Sequence, residues 1–96
     1  MAIQSFADKA TEEFFLVGRV ATKVGWSPVR RVVKRKLDML HYAFKLADLR
    51  MPPVNRLEAL RGKLKAYHSI RVNDQWRIVF QWTAQGPCCV KVVDYH

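Results

Sequence analysis

The sequence predicts an α+β domain in which an N-terminal strand and two helices pack on a small, mainly antiparallel sheet. Between Ser27 and Phe44, apolar residues recur every three or four positions, as they do on one face of a helix. From Tyr67 to Asp94, short aromatic and β-branched runs are separated by turn residues, which is typical of a strand meander. The chain has 96 residues, the length of one domain, so residues 1–96 are assigned to a single fold.

The first elements are a short strand and a helix. Residues 2–6 alternate apolar and polar side chains and predict a half-buried strand. Asp8 is placed to cap a helix that runs to about Val17, and Gly18 is placed to end it. Residues 19–26 then predict a basic loop, whose tryptophan we expect to dock on the core.

The second helix is predicted to begin at Ser27-Pro28, because serine is a good N-cap and proline is favoured at the first helical position. Its apolar stripe consists of Val29, Val33, Leu37, Leu40 and Phe44, with Lys36 near the edge. Arg30, Arg31, Lys34 and Arg35 lie off the stripe, and we call these four residues the basic helix face. With Arg19 and Lys23 they concentrate positive charge, which fits either a solvated surface or an acidic or nucleic-acid partner.

The second half of the chain is predicted to form a connector and a four-element antiparallel meander. Leu49–Asn55 contains Pro52-Pro53 and predicts an extended connector. The predicted strands are 57–60, ending at Arg61-Gly62, then 67–72, 75–82 and about 88–94, with turns at Asn73-Asp74 and Gly86-Pro87. Alternation in the third of these strands directs Trp76 and Ile78 to the core and Arg77 away from it.

The charge of the chain favours a polyanionic partner. Seventeen Lys and Arg oppose eight acidic residues, which gives a net charge of +9 and a pI near 10.1. Such an excess favours nucleic acid over an anionic membrane, although a basic surface kept for solubility would have the same composition. No apolar run approaches the ~20 residues of a membrane span, and acidic residues precede the apolar run Phe14–Val17, unlike in a signal peptide. We therefore expect a cytoplasmic protein with no membrane partner.

Cys88 and Cys89 are adjacent, and in a regular strand their side chains point to opposite faces. A bridge between them would be strained, and neither has metal-ligand spacing around it. We expect structural cysteines in a reduced protein, with no metal site and no cofactor.

Three blocks of sequence resemble one protein family. They are Asn55–Gly62 (NRLEALRG), Ser69–Arg77 (SIRVNDQWR) and Val93–His96 (VDYH), with further agreement at Arg35–Leu37, Asp48–Arg50 and Ile3–Phe6. In this order and spacing they are similar to the plasmid-maintenance killer family, the HigB-type toxins with GraT among their relatives, within the RelE/ParE superfamily.

The resemblance implies the toxin of a type II toxin–antitoxin system. Such toxins are metal-independent endoribonucleases that enter the A site of the 70S ribosome, against 16S rRNA, and cleave mRNA, which inhibits translation. The implied partner is a HigA-like helix-turn-helix antitoxin, and the toxin–antitoxin complex binds operator DNA.

Cleavage of RNA without metal requires removal of the 2′ proton, a cation for the phosphoryl charge and a proton for the 5′ leaving oxygen. Arg61 and Arg77 are candidates for phosphate contact, because a guanidinium meets phosphate oxygens in pairs and stays charged. By resemblance, the terminus contributes His96 for proton transfer, Asp94 to orient it and Tyr95 to stack on a base.

The remaining polar residues near this site have less definite roles. Glu58 would act as a base or pair with Arg61, and we favour the ion pair. Relatives often have Gly-Asp-Arg where this chain has Gly62-Lys63-Leu64-Lys65, so the loop gains positive charge. The candidates for RNA or ribosome binding are Arg30, Arg31, Lys34, Arg35, Lys63, Lys65 and His68, the last of which packing alone would also explain.

Two other functions remain open from the sequence. The ParE branch shares the fold but inhibits DNA gyrase without chemistry of its own. A plain basic RNA-binding module would bind RNA in a salt-sensitive way without cleaving it.

Overall fold

A computed structural model describes residues 2–21 and 23–94. Within these residues the chain forms helices α1 (Lys9–Val17) and α2 (Arg30–Tyr42) and strands β1 (Glu58–Ala59), β2 (His68–Arg71), β3 (Trp76–Thr83) and β4 (Gly86–Asp94). The strands form one antiparallel sheet in the order β1-β2-β3-β4. The predicted α+β class and the meander are confirmed.

Helix α1 has the predicted limits because both ends are set by local contacts. The Asp8 carboxylate accepts a hydrogen bond from the Thr11 amide at 2.7 Å, as an N-cap does. Gly18 ends the helix in the left-handed conformation (φ 76°), and its amide donates to the Phe14 carbonyl.

The predicted N-terminal strand is reduced to a single parallel bridge, between Phe6 and Val90 on β4. The segment still runs along β4, since the Val90 amide donates to Ser5 and the Ala7 amide donates to Val90. The ladder does not extend further because β4 contains a bulge at Cys89, as described below.

Helix α2 differs from its prediction at both ends. Ser27 is the first residue of a 3₁₀ turn, Ser27–Val29, and its side chain caps nothing. The helix ends at Tyr42, so Phe44 is 83% exposed instead of continuing the apolar stripe. The Asp48 carboxylate accepts hydrogen bonds from the amides of Phe44 and Lys45, which starts a new 3₁₀ turn in place of another helical turn.

The core lies between α2 and one face of the sheet. Val33, Leu37 and Leu40 of α2 are fully buried, as are Ile70 of β2 and Ile78 and Phe80 of β3. Trp26 docks on this core as predicted, with its ring 5.1 Å from that of Phe14. None of the helices in the described part of the chain has the length and apolarity that a membrane crossing requires.

The connector is folded rather than extended, which corrects the prediction. It consists of two 3₁₀ turns, Leu46–Arg50 and Pro53–Asn55, with a cis peptide bond between Met51 and Pro52. Proline is compatible with the first position of such a turn, because its fixed φ is already helical and it has no amide to satisfy.

Lys36 is buried (4% exposed), whereas the sequence placed it at the edge of the stripe. Its ammonium donates a hydrogen bond to the side-chain oxygen of Asn55, which is also fully buried. The Asn55 amide group donates in turn to the carbonyls of Leu49 (3.1 Å) and Met51 (3.3 Å). This contact attaches the connector to α2.

The sheet has one face against the helices and one away from them. By register, the second face carries Glu58, Ser69, Arg71, Arg77, Val79, Lys91 and Val93, and we call it the open face. Gly86 and Pro87 belong to β4, and the turn before it is Ala84-Gln85, two residues earlier than predicted.

The thiols of Cys88 and Cys89 lie 3.5 Å apart, not on opposite faces as predicted. Gln81 pairs with Cys88 and Val79 with Lys91, so β4 has one residue more than β3 in this interval. A bulge of this kind interrupts the alternation of side chains, which explains the difference.

We predict that Lys36 makes the stability of the protein rise with pH in the alkaline range. Burial lowers the pKa of Lys36 below its usual 10.5, and the charges of Arg35 and Arg71 lower it further. The folded chain therefore binds fewer protons than the unfolded chain as the pH approaches 10.5, and the free energy of unfolding increases with pH.

Urea unfolding of the wild type and of Lys36→Met, from about pH 7 to about pH 10, measures this effect. The stability of the wild type relative to the variant should increase over that range. A difference that stays constant would show that Lys36 titrates alike in the folded and unfolded chains.

Candidate functional site

The centre of the open face is the Arg77 guanidinium, which is buried (7% exposed) rather than free at the surface. Its Nε donates to Ser69 Oγ at 2.8 Å, and its Nη2 donates to the Arg56 carbonyl at 2.7 Å. Nη2 also lies 3.6 Å from Glu58 Oε1. Arg77 thus joins β3 to β2, to β1 and to the residue that leads into β1.

Glu58 pairs with Arg77 and not with Arg61, which corrects the ion pair that the sequence favoured. Glu58 is in register with Ser69, so its side chain lies on the same face as Arg77. Arg61 follows the strand, at the start of a turn in which Gly62 has φ 68°. The Glu58 side chain is 46% exposed, so one carboxylate meets both the buried guanidinium and solvent.

Arg61 lies at the surface beside Glu58. The two residues line one open cavity of about 410 Å³, together with Ala59, Leu60 and Leu64. A second cavity of about 360 Å³ is lined by Leu46, Ala47, Arg50, Leu57, Glu58, Ala59 and His68. Glu58 therefore borders both cavities.

Exposed cations line these cavities or lie next to their lining residues in the chain. Lys63 and Lys65 follow Arg61 in and after the 3₁₀ turn Gly62–Leu64, and Arg50 and Arg56 precede β1. All of these side chains are exposed, as is Arg61. We call Arg50, Arg56, Arg61, Lys63 and Lys65 the β1 rim, and its charge favours binding of a polyanion.

His68 packs within the fold at the wall of the second cavity. Its ring stacks on Phe80, with centroids 6.2 Å apart and an interplanar angle of 24°. Its Nδ1 atom is buried and has no hydrogen-bond partner among the described residues. The packing role that the sequence analysis allowed for His68 is therefore present. Only the part of the ring that lines the cavity is accessible to a ligand.

Asp94, Tyr95 and His96 were predicted to act with Arg77. Asp94 is in register with Trp76, so alternation directs it to the helix side of the sheet, and its Oδ2 accepts from Gln75 Nε2 at 3.1 Å. The β4 residue opposite Arg77 is Val93. Tyr95 and His96 lie outside the described residues.

The basic helix face is exposed, but two of its four side chains already have partners within the protein. Lys34 pairs with Asp38 at 2.7 Å, and Arg30 donates to the Ser27 carbonyl. Arg30, Arg31 and Lys34 line a shallow cavity of about 310 Å³ with Phe14 and Gly18. The face shares no residue with the β1 rim or its cavities and forms a second cationic surface.

The sequence did not identify Ser69, the Arg56 carbonyl or the Lys36–Asn55 contact. Alternation in β2 puts Ser69 opposite to Ile70, but only the strand register shows that it meets Arg77. Lys36 follows Val33 by three residues and precedes Leu40 by four, and this spacing was a signal that it faces the core. Among the described residues, no three His, Cys, Asp or Glu side chains are placed to hold a metal ion.

Comparison with known proteins identifies close relatives. Residues 4–96 match the model of a family described as the RelE-like toxin of the type II toxin–antitoxin system HigB. Toxin HigB-1 of Vibrio cholerae serotype O1 is 43% identical over 82 residues, which cover 85% of this chain and 84% of that protein. An uncharacterized protein of Haemophilus influenzae is 37% identical over 79 residues, covering 82% and 77%.

A solved structure shares the fold. The YoeB/ParE toxin from Agrobacterium tumefaciens superposes with a TM-score of 0.53 over 100% of this chain and 99% of that one, at 17% sequence identity. At this identity the likeness concerns the fold alone.

We predict that removal of Arg77 destabilises the protein much more than removal of the Glu58 charge. Arg77→Met leaves the buried Ser69 hydroxyl and the Arg56 carbonyl without their donor, which should cost about 2–4 kcal/mol. Glu58→Gln keeps the side-chain volume and both hydrogen bonds of Arg77, and the carboxylate it removes is half-exposed, so its cost should be smaller, about 1 kcal/mol.

Denaturant unfolding of the two variants and the wild type measures the difference. Equal losses, or a larger loss for Glu58→Gln, would contradict the central role of the guanidinium.

Proposed function

The chain belongs to the HigB family of RelE-like toxins from type II toxin–antitoxin systems, and on this basis we propose that it is a ribosome-dependent endoribonuclease. It cleaves mRNA in the ribosomal A site and so inhibits translation. The observation that carries the proposal is the exposed Arg61, which lines a cavity of the cationic β1 rim with Glu58, the residue that pairs with the buried Arg77. A toxin of this type has an antitoxin partner.

In the proposed reaction the 2′-oxygen of the RNA attacks the adjacent phosphorus atom. The bond from the 2′-oxygen to phosphorus forms while the bond from phosphorus to the 5′-oxygen breaks, which leaves a cyclic phosphate and a 5′-hydroxyl. The 2′ proton passes to a base, and the 5′-oxygen receives a proton. The phosphoryl oxygens gain negative charge in the transition state, so a cation placed beside them accelerates the reaction.

Arg61 is the residue we assign to the phosphate, because its guanidinium is exposed and can donate two parallel hydrogen bonds. Arg77 has little exposed surface, so we assign it a fixed positive charge beneath the phosphate and the positioning of Glu58. Glu58 in turn is held by Arg77 rather than by Arg61, which leaves Arg61 available to the RNA.

The remaining steps are assigned to the terminus by family resemblance. His96 exchanges the protons, since imidazole titrates near neutral pH. Tyr95 stacks on a base of the RNA. Asp94, two residues before His96 in the chain, supplies negative charge at the end of β4. We place the reaction in the cytoplasm.

The basic helix face is the surface we assign to ribosome docking. Arg31 and Arg35 are exposed and free of ion pairs within the described residues, so both can neutralise phosphates of 16S rRNA. Together with Lys63 and Lys65 of the β1 rim, this face would position the toxin over the mRNA. The antitoxin we propose is a HigA-like helix-turn-helix protein, through which the complex binds operator DNA.

We predict that Arg61→Ala and His96→Ala each reduce mRNA cleavage by about 100-fold or more, since each removes a group that acts in the transition state. Arg61→Lys should recover part of the activity, because lysine restores the charge without the paired donors. Lys9→Ala, which removes an exposed charge from α1, is the matched control and should cleave at the wild-type rate.

Primer extension on mRNA bound to purified ribosomes measures the cleavage. A DNA supercoiling assay in parallel measures gyrase inhibition. Wild-type cleavage by both Arg61→Ala and His96→Ala would reject the site. Inhibition of supercoiling without new RNA ends would reject the endoribonuclease in favour of gyrase inhibition, and RNA binding with neither effect would leave a plain binding module.

We further predict that Arg31→Ala with Arg35→Ala weakens ribosome binding in a salt-dependent manner. Loss of two phosphate contacts should reduce the magnitude of the slope of log affinity against log salt by about 1.4–1.8. Co-sedimentation with ribosomes at several salt concentrations measures the slope, with Lys9→Ala again as the control. An unchanged slope would show that the basic helix face does not contact rRNA.

A further inference from the structure

The pair of thiols at the start of β4 is unrelated to the RNA site. Cys88 Sγ and Cys89 Sγ lie 3.5 Å apart, and both residues are half-buried and free of disulfide bonds. Adjacent side chains of a regular strand point to opposite faces, so this proximity requires an explanation in the backbone.

The explanation is the bulge in β4. Cys89 has φ 57°, in the left-handed region that a residue with a side chain rarely adopts. Its amide donates to Ser5 Oγ at 2.9 Å, so the N-terminal segment satisfies the group that the bulge withdraws from the ladder. The bulge turns the Cys89 side chain toward that of Cys88, and Ser5 stabilises this conformation.

We propose that Cys88 and Cys89 form a chelating dithiol site for a thiophilic trivalent metalloid, such as an organic arsenical. With bonds of about 2.3 Å from each sulfur to the bound atom, the observed separation corresponds to an angle of about 100° at that atom. This is the angle of a pyramidal trivalent centre. The site is therefore preorganised in the folded protein.

The reaction is a condensation without oxidation or reduction. For an aryl arsenic oxide, two bonds from sulfur to arsenic form, the bond from arsenic to oxygen breaks, and the oxygen leaves as water with the two thiol protons. Burial and the hydrogen bond with Cys89 raise the pKa of the Cys88 thiol, so it enters the reaction protonated.

A direct disulfide between Cys88 and Cys89 is less favourable than chelation of an inserted atom. Consecutive Cα atoms are ~3.8 Å apart, below the ~4.4 Å at which disulfide geometry becomes relaxed. A bridge between Cys88 and Cys89 would be strained and easily reduced. An inserted atom removes this strain, because each sulfur then bonds to the atom instead of to the other sulfur.

The site lies on the open face but away from Arg77. Cys88 is in register with Gln81, which shares a face with Arg77 and follows it by four residues on β3. The separation along the strand is therefore about 13 Å. Binding at the dithiol can be tested without changing any residue that we assign to RNA cleavage.

The test uses phenylarsine oxide and the full chain. Mass spectrometry should detect one adduct per protein, with loss of both thiols to a thiol reagent, stability to a monothiol and reversal by ethanedithiol. Because the probe binds a conformation that is already folded, it should raise Tm by about 5 °C or more. Cys88→Ser and Cys89→Ser, which keep the side-chain size, should each lose the stable adduct and the Tm shift.

Ser5→Ala separates a preorganised site from two merely adjacent cysteines. It keeps both thiols but removes the hydrogen bond to the Cys89 amide, so the Tm shift should shrink while the adduct still forms in urea. The proposal is overturned by any of three results: no adduct on the folded wild type, a Tm that stays level or falls on binding, or a stable adduct on either single-cysteine variant.

Discussion

The buried guanidinium of Arg77 is the contact on which the open face of this protein depends. It sits on β3 and donates to Ser69 on β2 and to the carbonyl of Arg56, while Glu58 on β1 supplies the opposing charge. Burial of a cation is costly unless it is paired and hydrogen-bonded, and these partners meet that requirement. The pairing also explains how β1, with two residues, remains attached as an edge strand.

A second buried cation acts on the same region from the helix side. Lys36 donates to Asn55, and Asn55 holds the carbonyls of Leu49 and Met51 within the connector. Asn55 directly precedes Arg56, whose carbonyl receives the Arg77 hydrogen bond. The two cations thus hold two consecutive residues, Asn55 and Arg56, and these residues lead into β1. In a chain with a net charge of +9, these two positive groups shape the site from inside, while most of the other cations are exposed.

The cations that hold the site together are different from the cations that are exposed to bind a polyanion. Arg77 and Lys36 are buried and hydrogen-bonded to neighbouring segments, so they hold the strand and connector in place. Arg61, Lys63 and Lys65 are exposed on the rim, and the exposed cations of the basic helix face form a separate set on α2. Under the proposed function, one cationic surface would dock on ribosomal RNA and the other would contact the RNA that is cleaved.

The sequence by itself determined what depends on neighbouring residues. Asp8 and Gly18 set the limits of α1 through contacts within a few residues, and the turn residues between apolar runs set the order of the meander. The ordered motifs from Asn55 to the terminus identified the family.

Tertiary structure decided the features that join distant segments. The partner of Glu58 depends on the register of β1 with β2, and the hydrogen-bond partner of Lys36 is Asn55, 19 residues away. The meeting of the two thiols likewise depends on a bulge capped from Ser5, 84 residues away. Such contacts follow from strand register and packing between segments, and these cannot be inferred from the periodicity of a single segment.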